Sequence, residues 1–504
     1  PTTRTAGVCM HLTSLPGRYG IGEIGAEARR FVDALRRMEL GVWQFLPTGP
    51  TAYGDSPYQP QSSFAGNEML IDVASLVALG LLQDDEIRAL KSLPTDTVDY
   101  GALIPVKNRL LQIAAGRFAD VADSKLKGKY EAFVEKNDTQ WLHDYALFRI
   151  LKSRHDERPW PEWEEHFVHR DETAMAQLET LVSDEIALLK IIQFLFHYQW
   201  REFRDYANAN GIKLFGDMPI YIALDSADAW ANPDIVQIDR AGNPDQVAGV
   251  PPDYFSADGQ LWGNPLYAWE RHAANGYSWW VERVQAMTEL VDMIRVDHFR
   301  GFEAYWSVEA GAETARDGAW VPGPCDAIFD AMRNALGQLP IVAEDLGVIT
   351  PAVEALRDRH HIPGMAVLQF DVVDEDAPLD VAENCVCYTG THDNDTTLGW
   401  FRGSPDDNRS AEEIAAAQKA VLEVTSGTPE TISTDLIRAA FSTRARLAIA
   451  PMQDYLGLGS EARFNTPGTT GDNWRWRLES AQLDAELIDR VATLVRESGR
   501  RLTG

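Results

Sequence analysis

Short apolar runs, each passing into polar residues at its C-terminal end, recur along the chain. They are GVCMHL (7–12), GVWQFLP (41–47), KLFGDMPIYI (213–222), MIRVDHF (293–299), PIVAEDLG (340–347), MAVLQFD (365–371), VCYTGTHD (386–393) and RLAIAPMQD (446–454). Between many of them apolar positions repeat at helical spacing, as in AEARRFVDALRRM (26–38), CDAIFDAMRNAL (325–336) and PAVEALRDRH (351–360). Continuous apolar strands alternating with amphipathic helices predict a parallel sheet covered on both faces, and eight such units predict a (β/α)8 TIM barrel. A doubly wound open sheet is the alternative from pattern alone. No strand is followed by the glycine fingerprint that such sheets use for dinucleotides.

The stretch 70–195 is rich in Leu, Ala, Glu and Lys at helical spacing and too long for a loop. It reads as a mainly helical insertion at the C-terminal face of a single catalytic barrel domain spanning 1–504. The segment 223–275 reads as a second insertion. Within it, GVPPDYFSADGQLWGNPLY (249–267) has Gly, Pro and aromatics with little periodicity, the pattern of a structured loop covering a pocket.

Charge narrows the partners. A formal net charge of −30 argues against nucleic acid, anionic membrane and polyphosphate, all of which favour basic surfaces. Cys9, Cys325, Cys385 and Cys387 are too few and too irregularly spaced for a disulfide framework or a zinc site. Cys385 and Cys387, two apart in a strand, should pack on one face. No segment has the order of a signal peptide or the length of a membrane span, so the expected location is cytoplasmic.

In a barrel of this kind the C-terminal ends of strands form the active site, where charge faces a solvated funnel. Asp297, Glu344 in VAEDLG and Asp393 in TGTHDND lie at three such ends. Two carboxylates facing one bond suffice to cleave or transfer a glycosidic linkage, one as nucleophile or base and the other as an acid of raised pKa. Arg295, two residues before Asp297, should share its face of the strand and hold it ionised. A divalent metal on Asp297, His298, His392 and Asp393 is the competing use of these side chains. No paired-histidine helix motif accompanies them, so no metal and no cofactor is expected. Aromatics near Gly and Pro, among them Tyr53, Tyr58, Tyr254, Phe255, Trp262, Tyr267, Trp474 and Trp476, are candidates for stacking on sugar rings, although most aromatics serve core packing.

Longer ordered segments sharpen the picture: HLTSLPGRYGIGEIG (11–25), AYGDSPYQ (52–59), LFGDMPIYIALDSADAWANP (214–233), IRVDHFRGFEAYW, AEDLGVITPAVEALR, YTGTHDNDTTLGW and SEARFNTPG (460–468), together with the 249–267 stretch. Over nearly its whole length the chain resembles the amylomaltases, the 4-α-glucanotransferases of glycoside hydrolase family 77 in the α-amylase superfamily. The resemblance implies a catalytic nucleophile at Asp297 beside Arg295, a general acid/base at Glu344 supported by Asp345, and a third carboxylate at Asp393 with His392 as its partner in the transition state. It implies substrate contacts at Asp217, Ser56, Tyr58, Asn465 and His298, and at Gln260 and Trp262 of a covering loop. It also implies that α-1,4-glucans and maltooligosaccharides are the partners, that no calcium is bound, and that the separate C-terminal β-domain of α-amylases is missing, in keeping with the single helical segment that follows the eighth run. A monomer or weak homo-oligomer is expected. The implied reaction moves α-1,4-glucan segments between maltooligosaccharides, onto glucose, or within one chain to a cyclic product. Read from the residues without the resemblance, hydrolysis and transfer remain tied, and a glucan-binding protein on a decayed barrel would have lost one of the three carboxylates.

Overall fold

The computed structural model of the 504-residue chain describes residues 3–51, 55–252, 256–373, 379–405 and 407–502. Its strands, in chain order, are β1 (Thr5–Cys9), β2 (Val42–Gln44), β3 (Lys213–Pro219), β4 (Gln246–Val250), β5 (Gln260–Pro265), β6 (Met293–Asp297), β7 (Ala304–Glu309), β8 (Gly318–Pro322), β9 (Ile341–Ala343), β10 (Gly364–Val367), β11 (Cys385–Tyr388) and β12 (Leu447–Pro451). Eight of them form one parallel sheet in the order β10-β11-β12-β1-β2-β3-β6-β9. Each of these eight coincides with one of the apolar runs. The seam between the two outer strands is bridged where Ala343 N–H donates to Pro363 O at 2.8 Å, which makes the sheet a (β/α)8 barrel.

Alternation along each strand divides the barrel wall into two faces. Cys9, Val42, Phe215, Val342, Met365, Val367, Val386, Tyr388, Leu447 and Ile449 pack into one cluster inside the barrel. Gln44 is polar on this inner face, and Tyr388 satisfies it by donating its hydroxyl at 2.7 Å. The opposite faces join the large cluster under the surrounding helices, which contains Cys385 and Cys387 together. All four cysteines are free.

Beside the barrel, the region 70–195 holds helices Tyr100–Val121, Ser124–Asn137, His143–Arg154 and Glu172–Leu181, and the start of Ser183–Ala209. Three of these open on an aspartate whose side chain accepts an otherwise unpaired amide: Asp99 from Ala102, Asp123 from Leu126 and Asp171 from Ala174. The long helix Ser183–Ala209 returns to the barrel, where Trp200 meets Phe45 and Phe203 meets Trp43 edge-on. Buried Lys107, paired with Glu23 and donating to Met69 O at 2.6 Å, ties the helical region to the barrel's first loop.

The pattern analysis missed one element. The stretch expected as a loop contains β4 and β5, which join β7 and β8 in a four-stranded antiparallel sheet of order β5-β4-β7-β8. Its edge strand β8 is largely exposed and β5 carries Gly and Pro, so neither shows the apolar alternation of a buried strand. No helix among the described residues is long and apolar enough to cross a membrane. At the far end of the chain, buried Arg500 donates to the carbonyls of Thr5, Phe441, Thr443 and Ala445.

Candidate active site

Strand register brings the first two charged groups together. Asp217 on β3 lies opposite Arg295 on β6, on faces that point inward. Arg295 Nη1 reaches both oxygens of Asp217, at 2.9 and 2.8 Å, and its Nη2 lies 3.0 Å from Asp297 Oδ1. Arg295 and Asp217 are buried, and the ion pair with its remaining bonds filled is the arrangement in which such burial is sustained. Tyr58 adds a further bond to the pair, its hydroxyl donating to Asp217 Oδ2 at 2.7 Å. Burial first, then the nearby Asp217, raises the Tyr58 phenol well above its ordinary range and keeps it a donor.

Directly after β6 the backbone turns sharply: His298 is left-handed, at φ 58° and ψ 50°. This conformation is enriched in His among residues other than glycine. It aims the His298 amide at Glu344 Oε2, 2.7 Å away, while Leu346 N–H donates to Glu344 Oε1 at 2.8 Å. Burial, and then the charge of Asp297, push the Glu344 carboxyl up to about 7 against the opposing pull of Arg295 and the two amides. Burial also raises Asp297, with Arg295 as the main opposing influence. A third of the Asp297 side chain is open to the cleft, where solvent and substrate can reach it. The His298 ring, lowered to about 3 by burial, is neutral and meets Trp262 edge-on at 4.7 Å.

The third carboxylate stands across the mouth on the loop after β11. Asp393 Oδ1 accepts from Asn465 Nδ2 at 2.6 Å and lies 3.3 Å from His392 Nε2, while its carbonyl accepts from Arg463 at 2.7 Å. Tyr58 stacks on His392, centroids 5.1 Å apart and planes within 15°. One aromatic ring thereby links the Asp217–Arg295 side of the mouth to the Asp393 side.

These groups open into one cleft of about 520 Å³. It is lined by Tyr58, Gln260, Trp262, Arg295, Asp297, His298, Glu344, His392 and Asp393 from the sequence-predicted set, and further by Gln59, Tyr221, Asn264, Arg300, Trp320 and Phe370. Asp217 and Asn465 lie just behind this lining, against Arg295 and Asp393. Ser56 does not line it: its hydroxyl accepts from the Tyr58 amide at 3.3 Å and so shapes the turn that presents the ring. Asp345 also faces away, holding the Met365 amide at 2.8 Å and Arg357 at 2.5 Å, which fixes β10 against the end of β9. Trp474 packs on Phe464 near Tyr58, and Tyr267 is core. Tyr53, Tyr254 and Phe255 lie outside the described residues. Among the described residues no group of three or more His, Cys, Asp or Glu side chains is arranged to hold a metal ion. Of the further lining residues, Arg300 belongs to the charge cluster that interrupts the apolar run in IRVDHFRG, where its sequence gives it no specific role, and Trp320 has no sequence signal because it reaches the cleft only through the antiparallel sheet.

A (β/α)8 barrel with a carboxyl pair in one cleft, one member held by Arg295 and the other raised to about 7, a third carboxylate and aromatic walls defines an enzyme acting on glycosidic bonds. The 4-alpha-glucanotransferase pattern of glycoside hydrolase family 77 matches residues 10–483, and the chain belongs to that family. It is 43% identical to the 4-alpha-glucanotransferase of Synechocystis sp., covering 99% of this chain and 98% of that one, and 42% identical to that of Thermus thermophilus, with 99% of each covered. Its fold matches the amylomaltase from Streptococcus agalactiae in complex with acarbose with a TM-score of 0.93 at 35% identity, covering 99% of this chain and all of that one. The amylomaltase from Corynebacterium glutamicum shares the fold at 19% identity, with a TM-score of 0.81 over 97% of this chain and 75% of that one. The activity of the chain is 4-α-glucan transfer.

Proposed function

We propose that this chain carries out that transfer on α-1,4-linked maltooligosaccharides by a retaining double displacement. The observation behind the reading is the pairing of Asp297, held by Arg295, with Glu344, whose carboxyl is raised to about 7. Ionised Asp297 attacks the anomeric carbon; the glycosidic C–O bond breaks; Glu344 gives its proton to the departing 4-oxygen. A covalent glucosyl-aspartate remains. Glu344, now ionised, takes the proton from the 4-hydroxyl of an acceptor sugar, whose oxygen displaces Asp297 and restores the α-linkage. Asp393 and His392 hold hydroxyls of the distorted reacting ring, and Tyr58 with Asp217 keeps Arg295 in place. Gln260 and Trp262 cover the cleft and limit productive water. The presence of acarbose in the Streptococcus agalactiae relative supports an oligosaccharide occupant for the same cleft here.

The test is incubation with maltotriose alone, with products resolved by size and reducing ends titrated over time. Glucose and a ladder of longer maltooligosaccharides at constant reducing ends are expected. Rising reducing ends with only shorter products would assign hydrolysis instead.

A further inference from the structure

Large apolar side chains exposed among the described residues are few, and three of them, Trp320, Val348 and Phe370, line the catalytic cleft, whereas Val121, Leu181, Leu261 and Val373 do not. Trp320 stands out because its exposure is built rather than incidental. The Arg300 guanidinium lies over its ring, 3.9 Å from the centroid, and Trp306 meets it edge-on at 5.2 Å from the neighbouring strand. Arg300 is itself buried and anchored, donating to Val348 O at 2.5 Å. A ring fixed in this way loses little freedom when a ligand covers it, yet 40% of the residue remains exposed.

Its position decides what it would cover. Tyr58 joins Asp217 and Arg295 to His392 and Asp393 by direct contacts, so these groups surround the sugar that becomes covalently bound to Asp297. Trp320 touches none of them; the Arg300 guanidinium over its ring donates to Val348 O, on the loop that follows Glu344, which ties the ring to the acid's loop. The proton from Glu344 goes to the leaving oxygen, and the leaving glucan departs on the acid's flank, where the acceptor later enters. Resting on the proposed double displacement, we infer that Trp320 is an acceptor platform: the apolar face of an incoming glucose or maltooligosaccharide stacks on its indole, which sets acceptor affinity and the share of intermediates lost to water.

The experiment compares the unsubstituted chain with Trp320→Ala and Trp320→Tyr, using maltotriosyl fluoride as a donor whose leaving group is too small to reach the platform. Trp320→Ala should raise the KM for acceptor maltose about fivefold to tenfold and increase fluoride-linked hydrolysis relative to transfer. The KM for the fluoride donor should move less than about twofold, and Trp320→Tyr should recover most of the acceptor affinity. An unchanged acceptor KM and hydrolysis share in Trp320→Ala would overturn the inference. A rise confined to the donor KM would do the same by putting the ring on the other flank. Failure of the double displacement itself would register separately, as products of inverted anomeric configuration from the α-fluoride donor in the unsubstituted chain.

Discussion

The amide of His298 donates to Glu344 at 2.7 Å, so the residue that follows Asp297 holds the carboxylate facing it. The left-handed turn at His298 is what makes this possible. It couples the two reacting groups through backbone, and neither can shift along its strand end without disturbing the other.

Glu344 has to carry a proton to release the leaving glucan. With its carboxyl at about 7, the protonated form prevails below that pH and is lost as pH rises through it. The kcat/KM for maltotriose should therefore fall about tenfold per pH unit well above 7. With a fluoride donor, which needs no proton, formation of the intermediate should lose this alkaline limb. Glu344→Gln should then accumulate a covalent glucosyl adduct visible by mass spectrometry. An alkaline limb that persists with the fluoride would assign the proton to another group.

Arg295 uses separate nitrogens for Asp217 and Asp297. A lysine keeps the charge but cannot span both carboxylates. Arg295→Lys should lower kcat by about a hundredfold or more while the far-ultraviolet circular dichroism stays that of the parent. A kcat within a few fold of the parent would show that charge alone suffices to hold Asp297.

Tyr58 does two things, and two substitutions separate them. Tyr58→Phe removes only the bond to Asp217 and should cost about tenfold in kcat/KM, whereas Tyr58→Ala also removes the ring from His392 and should cost roughly tenfold more. Equal losses would assign the whole effect to the hydroxyl.

Away from the site, Lys107 and Glu23 form a buried pair beside Asp72, and burial pushes Glu23 up to about 8. Because that pKa is raised on folding, the contribution of Glu23 is complete below its unfolded value of about 4.5 and declines as pH rises through about 8. Lys107→Met should destabilise the chain by roughly 3–5 kcal/mol at pH 8, and by less at pH 6 where the stranded carboxyl can take a proton. Adding Glu23→Gln should restore much of the loss. Urea unfolding at both pH values measures each difference, and a loss independent of pH would mean that packing, not charge, dominates.

The barrel was legible because its strands are short continuous apolar runs separated by helical segments and its charged residues fall towards the strands' C-terminal ends. The carboxylates could be read for the same reason. Asp217 and Asn465 depended on motif resemblance, since nothing in their spacing reports that they would lie against Arg295 and Asp393. The antiparallel sheet was hidden because β8 pairs with β7 across a segment of polar turns and buries almost nothing. Trp320 went with it: its link to the cleft is a stacking contact with Arg300, a relation between residues that no periodicity records. Ser56 shows the converse, a motif residue that acts on the turn and not on the cleft.

Arg500 has a meaning for how the molecule comes into being. Its guanidinium grips Thr5 O across a sequence separation of 495 residues, and Thr5 sits beside Leu447 in the barrel. On the ribosome, β1 emerges before the other barrel strands and finds one neighbour early, in β2, but its other edge stays bare until β12 has been made and Arg500 has cleared the exit tunnel. Such long-range closure is slow and leaves an unpaired edge open to other nascent chains. The same few bonds that stitch the bottom of the barrel therefore form only after all eight barrel strands have been made, and until then the free edge of β1 is exposed to other chains.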